Sequence, residues 1–141
     1  MKRIMSFFGA LCALAVVLAL GACTVGLAPG AEPTPTPAEY RKITAEEAKA
    51  MMDESDEYIL LDVRTADEFS AQHIPGAVLL PVDEIAARAE AELPDKAALI
   101  LVYCRSGVRS ANAARELVSM GYLNVFDFGG IVDWPFEIVS S

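Results

Sequence analysis

The residues best suited to chemistry lie in one run, Cys104-Arg105-Ser106-Gly107-Val108-Arg109-Ser110. Before it comes an apolar stretch, Ala98-Leu99-Ile100-Leu101-Val102; after it, helical patterning continues from about Arg109 to Met120 and stops at Gly121. Cys104 therefore sits between a buried strand and a helix start. In open α/β sheets that is where ligands bind, outside the carboxyl ends of the strands. A short loop there can turn successive backbone N–H groups inward as an anion-binding nest. The following helix points its positive end at the same place. Gly107 permits the backbone angles of so tight a loop, and Arg105 and Arg109 add two positive charges. Each feature favours a thiolate over a thiol, so a depressed Cys104 pKa and nucleophilic chemistry are expected. The alternative is a small, buried, inert residue ending its strand.

The elements that must position this run alternate between strand and helix patterns. Thr44-Ala45-Glu46-Glu47 is a capping box opening a helix through about Asp53. Tyr58 to Val63 is a continuous apolar run broken only by Asp62, as a buried parallel strand would be. Thr65-Ala66-Asp67-Glu68 is a second capping box, so a short helix follows. Ala77 to Leu80 is a short strand, and Val82 to about Ala91 a helix with Ile85 and Ala89 on one face. Ala97 to Tyr103 carries the strongest strand pattern, and Asn124 to Phe128 the last. Such alternation implies an α/β domain with a mainly parallel sheet and helices on both faces. The acidic stretch Asp53 to Glu57 is expected to be a solvated turn.

The chain has 141 residues and a formal net charge of −9. That length allows one ordinary domain with appendages and excludes a large multidomain enzyme. The acidic balance argues against nucleic acid and anionic membrane surfaces as partners, since both repel carboxylates. Residues 1–22 look like an export signal: Lys2 and Arg3 lead, an apolar run from Ile4 to Leu20 follows, and Leu20-Gly21-Ala22-Cys23 closes it. The small residues before a cysteine resemble a bacterial lipoprotein signal, implying cleavage before Cys23, lipidation there, and anchoring on the extracytoplasmic face of a cell membrane. A retained membrane helix is the other reading, at the short end of the spanning range. Residues 23–39, with Pro33-Thr34-Pro35-Thr36-Pro37, read as an extended tether. Without the signal, 9 basic side chains face 20 acidic ones, a net charge of −11. Cys12 leaves with the signal, so once Cys23 is lipidated Cys104 is the one free thiol and no internal disulfide can form. The folded domain is expected over 40–141.

The run from Cys104 to Ser110 resembles the active-site loop of rhodanese-like sulfurtransferases. Three further stretches resemble family motifs in order and spacing: Leu61-Asp62-Val63-Arg64 with Glu68-Phe69, His73-Ile74-Pro75-Gly76-Ala77, and Gly129-Gly130 with Trp134. The resemblance implies a three-layer α/β/α domain around a five-stranded, mainly parallel sheet. It also implies that Cys104 takes the outer sulfur of a small anion such as thiosulfate as a persulfide. A thiol, or cyanide, would then accept that sulfur. The substrate-binding residues would be Arg105, Ser106, Gly107, Val108 and Arg109, whose N–H groups cradle the sulfur, with no metal or organic cofactor. Either arginine side chain could touch substrate, and Arg109 could instead pack back on the domain. A sulfur carrier that does not turn over is the principal alternative. Cysteine-dependent phosphatases and arsenate reductases resemble the loop less, because they place five residues between cysteine and arginine where this chain places four, 105 to 108.

Other motif residues have plainer expected roles. Asp62 either borders the pocket or orients the loop by pairing with an arginine, and Arg64 is expected to pair with carboxylates. His73, the only histidine, could act as a base, but its place before Ile74-Pro75-Gly76 suggests a turn-fixing hydrogen bond. Trp134 and Phe136 are expected to close the core.

Overall fold

The computed structural model describes residues 39–141. The expected signal and the tether up to residue 38 lie outside the described residues. The elements run β1 (Arg41–Lys42), α1 (Ala45–Glu54), β2 (Ile59–Asp62), α2 (Ala66–Ala71), β3 (Val78–Leu79), α3 (Ile85–Glu92), β4 (Leu99–Cys104), α4 (Val108–Ser119) and β5 (Asn124–Gly130). The strands form one sheet in the order β1-β5-β4-β2-β3, every neighbouring pair parallel. β1 had no strand signal of its own. Its two residues are charged and exposed, and they are a strand only because they pair with Phe126 and Asp127 of β5.

β4 lies at the middle of the sheet, and its side chains alternate between two cores. Ile100, Val102 and Cys104 join Leu61, Ile85, Ala89, Ala113, Ala114 and Leu117 beneath α3 and α4. Leu101 and Tyr103 face the other way, with Ala45 and Ala48 of α1, Phe128, Ile131 and Trp134. Burial on both faces is why β4 is an uninterrupted apolar run. The three-layer α/β/α arrangement follows from it.

Helix boundaries have local causes. Thr44 and Thr65 accept the N–H of Glu47 and Glu68, and each glutamate returns to the cap N–H, so both capping boxes form. Val82–Glu84 is a 3-10 turn rather than the start of α3, as Pro81 precedes it with no side-chain cap. α4 ends in a Schellman closure: Gly121, at φ 93°, donates to Val118 O at 3.0 Å, and Tyr122 donates to Leu117 O at 3.1 Å.

His73 exchanges backbone hydrogen bonds with Val139 at 2.7 and 2.8 Å, and its Nδ1 donates to Phe69 O at 2.9 Å. It ties the chain's end to α2. Trp134 lies in the core, but Phe136 does not close it. Phe136 is 38% exposed and meets Trp134 edge-on, with centroids 4.9 Å apart.

Candidate active site

β4 delivers Cys104 to the carboxyl edge of the sheet as its last residue. The chain then turns through Arg105, Ser106 and Gly107, and α4 begins at Val108. Val108 and Arg109 are thus the first helical residues rather than loop residues. Gly107 is the N-cap at φ 99°, a left-handed conformation that other residues adopt at a cost. This geometry points its N–H back at Cys104 Sγ, 3.0 Å away. N–H groups in a helix's first turn have no intrahelical partner, so they are free to serve the same anion.

A second constraint comes from β5. Val102 pairs with Asp127 but Cys104 with Gly130, so β5 carries one extra residue and bulges beside the cysteine. The bulge includes Gly129, at φ 91°. Gly130 lies directly under the loop. A Cβ there would collide with Arg105 O and come within 2.7 Å of Ser106 Cα. Ser110, fully buried, places its hydroxyl 3.1 Å from Gly107 O and 3.2 Å from Gly129 O, linking loop to bulge.

Cys104 is 1% exposed. Burial pushes its thiol pKa up, but the polar groups of Ser110 and the N–H groups of Gly107 and Ser106 around the sulfur outweigh burial, so the pKa falls below its ordinary value. The expected contribution of the arginines is smaller than their charge suggests. Arg109 lies within electrostatic reach of Cys104, but its guanidinium is bidentate to Glu68, at 2.7 and 2.8 Å. Arg105 has no carboxylate partner among the described residues. It lines a cleft of about 270 Å³ with Arg64, Glu68, Gln72, Ile131 and Val132.

Asp62 ends β2 at the same edge and is fully buried. Arg64 Nε donates to it at 2.9 and 3.1 Å, and Nη2 at 2.6 Å. Arg64 also donates to Gln72 O at 2.7 Å, fastening α2 beside the cleft. Truncating one member of such a pair strands the other's charge and costs about 3–5 kcal/mol. Glu68 stands in the first motif, where the sequence assigns it no role beyond the capping box. Its capping-box pattern foretold the Thr65 contact, whereas its partner Arg109 lies 41 positions away. Ser110 and Gly130 stand in the motif runs, but the contacts that explain them form only on folding.

Glu68 supplies a pH test. Its hydrogen bonds to Arg109 hold its carboxyl down at about 2, against an ordinary 4.5. A depressed carboxyl stabilises the fold fully above the unfolded value, and that contribution disappears as pH falls through the folded value. Urea unfolding of wild type and Glu68→Gln should differ by about 1 kcal/mol at neutral pH, after solvent screening. The gap should shrink between pH 4.5 and about 2. A gap that stays constant over that window contradicts the pairing.

The family model for the rhodanese-like domain matches residues 44–135. The chain is 36% identical over 73 residues to the thiosulfate sulfurtransferase PspE of Escherichia coli, covering 52% of this chain and 70% of that protein. It is 35% identical over 94 residues to the putative sulfur carrier protein YrkF of Bacillus subtilis, covering 66% of this chain and 50% of that one. The solved structure of a rhodanese with anions from E. coli superposes with a TM-score of 0.56 at 32% identity, covering 60% of this chain and 99% of that chain. A five-stranded parallel sheet, a cysteine under a turn of N–H donors, and these matches lead to one statement: the chain belongs to the rhodanese-like domain family.

Proposed function

We propose that this protein is a sulfurtransferase working through a Cys104 persulfide. The Cys104 thiolate attacks the outer sulfur of a donor such as thiosulfate. A new S–S bond forms, the donor's S–S bond breaks, and sulfite leaves with the electron pair. One hard transfer thereby becomes two easier ones. The outer sulfur then carries negative charge, and oriented N–H donors stabilise such charge by roughly 3–4 kcal/mol each. A thiol, or cyanide in an assay, takes the sulfur and returns the pair to Cys104. The observation that carries this reading is the 3.0 Å approach of the Gly107 N–H to Sγ at the end of a central strand. The similarity to PspE, named a thiosulfate sulfurtransferase, supports the same chemistry.

The similarity to YrkF, named a putative sulfur carrier protein, supports a second reading: a carrier that loads sulfur without turnover. A thiosulfate:cyanide assay on the purified protein separates the two. Wild type should release thiocyanate, and Cys104→Ser should fall to the uncatalysed background. Equal rates for both proteins discard the enzyme. A gain of one sulfur in the intact mass without thiocyanate supports the carrier.

We further propose that acyl chains on Cys23 hold residues 40–141 on the outer face of a bacterial membrane, with residues 23–39 as spacer. The support is the pattern Leu20-Gly21-Ala22-Cys23 at the end of the apolar run. Among the described residues no helix is long and apolar enough to cross a membrane. Full-length protein expressed in bacteria should incorporate an alkyne fatty acid, and Cys23→Ser should not. Equal labelling of the two proteins overturns the anchor.

A further inference from the structure

The domain's cations are unevenly used. Lys49, Arg64, Arg88, Lys96 and Arg109 each meet a carboxylate. Among the described residues, Arg41, Lys42, Arg105 and Arg115 do not. In a chain with 20 acids, leaving cations unpaired beside an active site suggests that something else supplies the anion. Arg105 lies on the cleft already described. Lys42 and Arg115 line a different cavity of about 390 Å³, walled also by Tyr40, Asn112 and the Ser106–Val108 turn.

Arg115 is held in position rather than free. Its Nη1 donates to Asn112 Oδ1 at 3.0 Å, and its guanidinium lies 5.4 Å from the centre of the Tyr40 ring. Nη2 also donates to the Tyr40 hydroxyl at 3.4 Å, and these contacts leave three of its five N–H groups available. Lys42 ends β1 in an exposed position. The acid in the wall, Asp127, is buried and accepts the Gly129 N–H at 3.0 Å. Two cations against one engaged carboxylate leave the wall net positive.

The cavity is also close to the nucleophile. Gly107 lines it and donates to Cys104 Sγ at 3.0 Å, so one peptide unit separates wall from sulfur. A persulfide would carry its outer sulfur roughly 2 Å beyond Sγ. The volume suits a small organic ligand, whose sites run to roughly 300–1,000 Å³, and far exceeds one sulfur atom.

We propose that this cavity is the acceptor site, taking a small thiol that bears one or more carboxylates. Lys42 and Arg115 hold the carboxylates while the acceptor's sulfur reaches over Gly107. The inference rests on the sulfur-transfer reading above. In the step, the acceptor thiol gives its proton to the outer sulfur of Cys104–S–S⁻, and its thiolate then attacks that sulfur, forming a new S–S bond. The bond to Sγ breaks, its electron pair returns to Cys104 as thiolate, and the proton stays on the departing persulfide. No external oxidant or reductant is needed.

Steady-state transfer from thiosulfate tests this with three acceptors: mercaptosuccinate, 2-mercaptoethanol and cyanide. In Lys42→Gln and in Arg115→Gln, the KM for mercaptosuccinate should rise about fivefold, the worth of one well-formed solvent-exposed ion pair. The KM values for 2-mercaptoethanol and cyanide, which carry no carboxylate, should stay within twofold. An unchanged mercaptosuccinate KM in both variants overturns the proposal, as does a parallel loss with all three acceptors. Calorimetry with 2-(methylthio)succinate, which cannot accept sulfur, supplies a readout independent of turnover. Wild type should bind it and both variants should bind it more weakly. Absence of binding to wild type overturns the acceptor site even if thiocyanate is formed, and a protein that forms no thiocyanate is still judged by this measurement.

Discussion

A thiolate survives away from water only where hydrogen-bond donors replace the water. That exchange, made at Cys104 Sγ, is the interaction on which the rest of the structure depends. Burial opposes the charge; donors from Gly107, Ser106 and Ser110 offset it and bring the pKa down. Each donor is aimed by something further out. Gly107 must be left-handed to turn its N–H inward. The bulge in β5 and the missing side chain at Gly130 let the loop settle close enough for that turn to form. β4, packed on both faces, holds the sulfur at a defined height beneath these donors.

Around this centre the charged side chains serve position more than catalysis. Asp62 and Arg64 neutralise each other in the interior and fasten α2 through Gln72 O. Glu68 does two jobs at once, closing the capping box with Thr65 and clamping Arg109. With Arg109 engaged, Arg105 is the arginine on the cleft that stands without a carboxylate among the described residues. The domain thus keeps a positive entrance despite an acidic surface, and such local fields draw anions from solution.

What the sequence reveals and what it hides divide along physical lines. The capping boxes at Thr44 and Thr65 and the stop at Gly121 are local patterns that local hydrogen bonding realises, and the β4 run is legible because burial on both faces demands apolar residues throughout. β1 is hidden because Arg41 and Lys42 carry no apolar signal and owe their strand to β5. The Glu68–Arg109 clamp is hidden because its partners lie 41 positions apart. Gly130 is visible as half of a Gly-Gly pair, but its reason, the approach of Arg105 and Ser106, exists only after folding. Phe136 misleads because an aromatic beside a core tryptophan looks like core, whereas here it packs from outside.

The most direct test of the central claim is a titration of the Cys104 thiolate by its ultraviolet absorbance, with Cys104→Ser as the blank. The account predicts a midpoint below the ordinary thiol value of 9.0. A midpoint at or above 9.0 would mean that burial prevails over the backbone donors, and the cradle would then have no claim to activate the sulfur.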